Sequence, residues 1–417
     1  MKIVVVGNGI AGYTAASEIC RLAKKLNEKI DVTIVTKEKT PIYSPCIFHL
    51  YLSGQIERDR LFIHSYREYR EKGIKLVFGE VKEVRDESIL VEGYGELPYD
   101  KLVLAIGSKP AIPPIKGVNL NGVFTCKTIS DIDEVKSYLD RVNPRRAVII
   151  GAGLIGVEMA VALRMRGIEV CLVELMPRVL PLLLDEEASN IVLSELEKNK
   201  VKVHLNARVL EIMGDDRVNK VVLDSGDEIE SQIVIVATGM KPNTEILRKT
   251  GIRLGDRGGI IVDRYMMTSK RDIYACGDCI EYKDAITNKP TINMLWINSR
   301  IQGEITASNI IGIEREYLGE YNITGVSIFN KHVIAAGRKE EELRGRKYDV
   351  VEEKREDRYY KIIISDGKII GFQLIGEFRV AGILHTLAIK KVNIQEMIKK
   401  IELPRQLRLI PYSMKLI

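Results

Sequence analysis

Lys2-Ile3-Val4-Val5-Val6-Gly7-Asn8-Gly9-Ile10-Ala11-Gly12 opens the chain, and Ala147-Val148-Ile149-Ile150-Gly151-Ala152-Gly153-Leu154-Ile155-Gly156 repeats its design further along. In each, a short β-branched apolar run reads as a buried strand. Three glycines spaced G-x-G-x-x-G follow at once, and a helical pattern begins among them. The first glycine permits the tight turn out of the strand, and the second lets backbone approach a pyrophosphate. The third allows close helix–strand packing, so that the helix N-terminus faces the anion. One such turn is weak evidence. Two, each between a strand and a helix, point to two dinucleotide sites.

Both turns sit in βαβ units. The first runs from strand Lys2–Val6 through a helix to Leu26 and a strand from Asp31 to Thr36. The second runs from Ala147–Ile150 through a helix to Arg166 and a strand from Glu169 to Glu174. Downstream of each, an apolar strand ends in glycine, Tyr99 to Gly107 and Gln232 to Gly239, where a ligand or another backbone can approach. Prolines 110, 113, 114 and 242 mark crossings between lobes. Beyond Gly312 the pattern changes. Val326–Ala336, Tyr359–Ser365 and Lys368–Ile375 read as strands, with Asp366-Gly367 as a hairpin turn and helices near Val380–Lys390 and Ile394–Ile401. The expected fold is therefore α/β, with two three-layer Rossmann-like dinucleotide-binding domains and a small α+β C-terminal domain. The first domain is discontinuous, at 1–112 and 249–315. The second occupies 113–248 and the tail 316–417.

The second unit carries an acid where a ribose 2′-hydroxyl is expected: Glu174 ends the strand after the glycine turn. A carboxylate there repels a 2′-phosphate and favours NADH over NADPH, a preference that nearby Arg178 weakens. In the first unit the nearest acid to the strand end is Glu38, which is either the adenosine ribose contact or a plain loop carboxylate.

A chain of 417 residues accommodates two or three domains, and its 46% hydrophobic content is globular without any uncharged apolar stretch long enough for a bilayer. The first apolar run ends in a glycine turn with no cleavage-like site, so a strand is expected rather than a signal peptide, in a cytoplasmic protein. The net charge of +6 comes from 63 basic and 57 acidic residues interleaved as in Glu352–Arg358, which argues against nucleic-acid binding. Six irregularly spaced cysteines read as reduced thiols, and five dispersed histidines give no metal-ligand spacing.

The order of these motifs resembles the pyridine-nucleotide disulfide oxidoreductase superfamily in its single-chain FAD/NAD branch. That branch includes NADH oxidases, coenzyme A disulfide reductases, NADH:rubredoxin reductases and the FAD-binding part of nitrite reductase. The most specific match is Asp272-Ile273-Tyr274-Ala275-Cys276-Gly277-Asp278-Cys279. The resemblance implies FAD on the first turn, with Gly7, Gly9, Ile10, Ala11, Gly12, Glu38, Val81, Ala105, Gly107 and Asp278 contributing. It implies NADH on the second, with Gly151, Gly153, Leu154, Ile155, Glu158, Glu174 and Gly239, Glu158 matching the carboxylate near the nicotinamide. Cys276 and Cys279 flank the flavin segment and are expected to be incidental. Leu154 stands close to where many relatives have a flavin-covering tyrosine.

Tyr43-Ser44-Pro45-Cys46-Ile47-Phe48-His49-Leu50-Tyr51-Leu52-Ser53-Gly54 bears on the electron acceptor. In coenzyme A disulfide reductases and cysteine-dependent NADH oxidases a single Cys stands about eight residues before a Gly, as Cys46 does before Gly54. The resemblance then implies a redox thiol at a helix start, activated by the helix dipole. The serine usual four residues earlier is Ile42 here, and Tyr43-Ser44 is closer to the rubredoxin and nitrite reductase relatives. A buried, inert Cys46 is the alternative. Cys20, Cys126 and Cys171 are expected in the core. The short tail resembles the rubredoxin-reductase type, and Tyr359, Tyr360 and Tyr412 match no motif. The acceptors that compete are a thiol or disulfide, dioxygen or peroxide, and a redox protein, with a homodimer or a partner subunit as the assembly. The chain could also be the electron-input subunit of a larger dehydrogenase, or a non-catalytic NADH/FAD sensor module.

Overall fold

The structure, a computed structural model, describes residues 1–284, 289–319, 322–355, 358–376 and 379–394. The chain forms two units. One comprises Met1–Tyr51, Ile56–Ala111 and Met240–Glu320; the other comprises Leu52–Gln55, Ile112–Gly239 and Tyr321–Ile417. Thus the tail joins the unit that carries the second glycine turn, and residues 240–248 join the first.

The first unit is built on a five-stranded parallel sheet in the order 273–275, 101–104, 2–6, 31–36, 74–78. Side chains alternate across its central strand: Ile3 and Val5 pack under helix Ile10–Leu26 with Tyr13, Ala16 and Ile19. Val4 and Val6 face the other way, against Val81, Val84, Ile89 and Val91 of a three-stranded antiparallel meander. With both faces covered, the strand reads as a continuous apolar run rather than an alternating one.

The second unit repeats this plan on a parallel sheet ordered 201–204, 169–173, 146–150, 233–236, 123–124. Its meander, 209–214, 218–223 and 228–230, lays Ile212, Val218 and Val221 on Val148, Ile150, Val234 and Val236. In both units the strand feeding the glycine turn is the third of five, flanked by the later strand on one side and the βαβ partner on the other. The α/β, doubly Rossmann-like class follows. The segments around the crossing prolines pair with each other, Ser108–Pro110 antiparallel to Met240–Pro242.

The tail is an antiparallel five-stranded sheet ordered 323–328, 331–337, 368–375, 359–365, 349–354, with helix Ala381–Ile389 packed on it. Two of its features differ from expectation. Val326–Ala336 is not one strand but part of a hairpin, turning at Phe329 with φ 51°. Asp349–Lys354 is a strand, although its charges read as a solvated face; it lies at the sheet edge, where alternate side chains meet water. Asp366-Gly367 turns as expected, with φ 50° and 72°. The expected helix over 394–401 lies, past Ile394, outside the described residues, as does Tyr412.

Candidate functional site

The two glycine turns have nearly the same geometry. Gly7 adopts φ 112° and Gly151 φ 104°, and a Cβ on either would stand 2.1 Å from Ala105 O or 2.5 Å from Ala237 O. Gly12 and Gly156 press on the preceding turn, where a Cβ would lie 2.1 Å and 1.9 Å from the carbonyls of Gly7 and Gly151. The middle glycines differ from these. Gly9 and Gly153 are the residues before helices Ile10–Leu26 and Leu154–Met165, and a Cβ on either would meet open space. Neither helix has a side-chain cap or an acid in its first turn, so its first N–H groups are left to a ligand. Gly107 and Gly239, at φ 67° and 109°, likewise face open space.

In the first unit Ala11 is buried and packs on the segment after strand 273–275, where a Cβ on Gly277 would come within 2.8 Å of Ala11 Cβ. Asp278 is bracketed by two hydroxyls: Ser108 Oγ donates to Oδ2 at 2.7 Å and Ser299 Oγ to Oδ1 at 3.2 Å. Gln302 Oε1 accepts the Gly277 N–H at 2.8 Å. Ile10 begins the helix half-buried, Ala105 is buried beneath the turn, and Val81 begins its meander strand, also buried. Glu38 is half-buried and accepts the Tyr43 hydroxyl at 2.7 Å.

In the second unit Glu174 is buried and its carboxylate is held by backbone on both oxygens. Ala152 N–H donates to Oε2 at 2.6 Å and Met176 N–H to Oε1 at 2.8 Å. One bond comes from the glycine turn itself, which places this acid at the turn. Leu154 and Ile155 start the helix half-buried, and Glu158 follows one turn on. Desolvation pushes the Glu158 carboxyl up to about 8 from the usual 4.5, so it is neutral at pH 7. A carboxyl whose proton is held more tightly in the folded state loses stability as pH rises from about 4.5 through about 8. Glu158→Gln should remove that part of the stability–pH profile, read from unfolding midpoints across the same window.

Cys46 is exposed, unlike the buried alternative, in a 3-10 turn Pro45–Ile47 that leads into helix Phe48–Leu52. Five helical residues align too few peptides for a full macrodipole, so activation from that source is smaller than the spacing implied. Among the other cysteines Cys126, Cys171, Cys276 and Cys279 are buried and Cys20 is half-buried rather than in the core. Burial pushes Cys20 and Cys171 up to about 11 and Cys279 up to about 12, and drives Cys126 and Cys276 higher still. These thiols stay protonated and inert. Among the described residues no three His, Cys, Asp or Glu gather into a metal-binding group. No helix there is long and apolar enough to cross a membrane.

The family described as pyridine nucleotide-disulphide oxidoreductase matches residues 1–303. The chain belongs to this family. A relative named NADH oxidase, from Methanocaldococcus jannaschii, is 34% identical, with 95% of this chain and 93% of the relative covered. One named NAD(P)H coenzyme A polysulfide/persulfide reductase, from Pyrococcus horikoshii, is 34% identical over 84% of this chain and 78% of its own. A solved NAD-dependent persulfide reductase from A. fulgidus superposes with a TM-score of 0.88 at 31% identity, over 95% of this chain and 78% of that one. This member of the pyridine nucleotide-disulphide oxidoreductases is an NAD(P)H-dependent flavin enzyme whose cofactors are FAD and NAD(H). The residues present fit both groups, since each uncapped helix N-terminus adjoins a turn left open only at its middle glycine.

Sequence reasoning missed Ser108 and Ser299, which donate to Asp278, and Gln302, which holds the backbone of Gly277 before it. Ser108 directly follows Gly107 and was within reach of inspection. Ser299 and Gln302 lie on helix Trp296–Ile310, whose residues carry no turn signal or periodic stripe to single them out.

Proposed function

We propose that FAD is held by the first glycine turn and Asp278, that NADH is held by the second turn with Glu174 on its adenosine ribose, and that electrons leave through Cys46 to a disulfide or persulfide. FAD bound there would supply the two-electron chemistry that joins hydride from NADH to an acceptor. The observation that carries the choice of acceptor is the exposure of Cys46, the one cysteine of six that is exposed. The relatives named as persulfide reductases support the same class.

Each residue then has a definite task. The first N–H groups of helices 10–26 and 154–165 bind pyrophosphate, and the glycines admit it. Ser108 and Ser299 orient the Asp278 carboxylate by donating to both its oxygens. Ala152 and Met176 fix the Glu174 carboxylate so that it accepts from a ribose 2′-hydroxyl without reorganising. Glu158, neutral at pH 7, offers an O–H as donor to the nicotinamide end. At Cys46, the thiolate attacks one sulfur of R–S–S–R, forming Cys46–S–S–R and releasing one thiolate. Two electrons, supplied in the end by NADH, break that mixed disulfide and release the second thiolate. Overall, NADH, H⁺ and RSSR give NAD⁺ and two RSH.

The Glu158 role predicts a pH signature. The kcat/KM for NADH should fall above about pH 8 as the donor O–H is lost, and Glu158→Gln should flatten that limb. A limb unchanged in Glu158→Gln would assign the titration elsewhere. The acceptor assignment is tested by comparing disulfide, dye, dioxygen and redox-protein reduction in Cys46→Ser.

A further inference from the structure

We propose that Glu341, in the tail, sets coenzyme preference by holding Arg178 away from the 2′ position of the adenosine ribose. The inference rests on the reading of Glu174 as the ribose carboxylate.

Residues 174–180 form a short loop pinned at both ends to one residue of the second glycine turn. Ala152 N–H donates to Glu174 Oε2 at 2.6 Å, and Leu180 N–H donates back to Ala152 O at 2.8 Å. Leu180 achieves this at φ 48°, a left-handed conformation that disfavours a branched side chain and marks a constrained closure. Arg178 is therefore carried on the loop that the ribose acid opens. Leu175 and Met176, 57% and 47% exposed, give the same loop apolar surface suited to an adenine face.

A guanidinium at this place is the group that accepts a 2′-phosphate. Here it is engaged elsewhere. Arg178 Nη2 lies 2.5 Å from Glu341 Oε1 and donates to Oε2 at 2.7 Å, while its Nε–H is buried without a hydrogen-bond partner. The Arg178 side chain is 18% exposed and that of Glu341 44%, so solvent screens the pair from the Glu341 side. The Arg178 guanidinium in turn holds the Glu341 carboxyl below its usual range.

The tail anchors the two residues that precede Glu341. Lys339 Nζ donates to Pro181 O at 2.6 Å, tying the tail to the same stretch of chain. Glu340 pairs at 2.5 Å with buried Lys361, which also reaches Asp185 at 3.1 Å. A 2′-phosphate arriving at the loop meets the Glu174 carboxylate and a guanidinium already neutralised. NADH meets only the acid it needs.

The test uses full-length, FAD-loaded protein. Calorimetry reads the affinity for adenosine 2′-monophosphate and adenosine 5′-monophosphate, and steady-state kinetics read KM for NADPH and NADH. Glu341→Gln should tighten adenosine 2′-monophosphate and lower the NADPH KM by about tenfold, the worth of one charge-assisted hydrogen bond. The 5′-monophosphate affinity and the NADH KM should stay within about twofold. Glu341→Asp should restore the original preference, and adding Arg178→Ala to Glu341→Gln should erase the gain. Equal movement of both nucleotides, no movement, or a gain that survives without Arg178 would overturn the proposal. Glu174→Ala separates it from the reading beneath it. If that variant leaves 5′-monophosphate and NADH binding untouched, the ribose site is elsewhere and both fail. If it weakens them while Glu341→Gln changes nothing, only the role of Glu341 fails.

Discussion

Cys46→Ser should lower NADH-dependent disulfide reduction on the order of a thousandfold while leaving NADH-dependent dye reduction within about twofold. The size of the first effect follows from the chemistry: a serine hydroxyl cannot form the mixed disulfide, so no slower version of that step remains. The constancy of the second follows from position. Cys46 lies in an exposed turn, Pro45–Ile47, and contributes to neither glycine turn. No other thiol can stand in for it, because burial holds Cys126, Cys171, Cys276, Cys279 and half-buried Cys20 in their protonated forms. Loss of dye reduction in the same variant would mean that Cys46 supports the flavin site instead. Unchanged reduction of every acceptor would move the exit of electrons to dioxygen or to a protein.

Gly7→Ala should yield protein that holds little FAD and is less stable by about 3 kcal/mol or more. Two costs combine. An alanine at φ 112° is strained, and its Cβ would sit 2.1 Å from the backbone oxygen of Ala105, which cannot swing aside as a side chain can. Gly9→Ala is the informative contrast. Gly9 has φ −73° and ψ −179°, ordinary for any residue, and its Cβ would meet nothing. That variant should keep its unfolding midpoint yet lose flavin affinity, because the added methyl occupies the space through which the pyrophosphate approaches. Flavin content measured after gel filtration, alongside thermal unfolding, distinguishes the two. Full flavin retention in Gly9→Ala would remove the first turn from the FAD site.

Much of this architecture was legible in the sequence because its signals are local. A buried strand, three spaced glycines and a helix are fixed by neighbouring residues, and the strands at 2–6 and 31–36 and the helix at 10–26 fall where the pattern puts them. Asp366-Gly367 likewise declares its turn through the φ it requires. The rest depends on partners distant in the chain. The strand Asp349–Lys354 looks like a charged surface run until Tyr359–Ser365 pairs with it, and Tyr359 and Tyr360 find Glu352 and Glu353 only across that pairing. The Phe329-Asn330 turn carries no Gly, and its left-handed residue is a phenylalanine, so two strands read as one. At the site, Glu174 was visible from its spacing, whereas the Arg178–Glu341 pair joins residues on opposite sides of the second unit's sequence and leaves no local trace. Cys46 was visible as a candidate but not as exposed, since a short apolar context suits a core thiol equally well.

The central claim is that this chain carries hydride from NADH on its second glycine turn to FAD on its first. Anaerobic titration of the FAD-loaded protein with NADH tests it most directly. The account predicts stoichiometric loss of the oxidised flavin's visible absorption, reached only at higher NADH concentration in Glu174→Ala. A flavin that stays oxidised under excess NADH would contradict it.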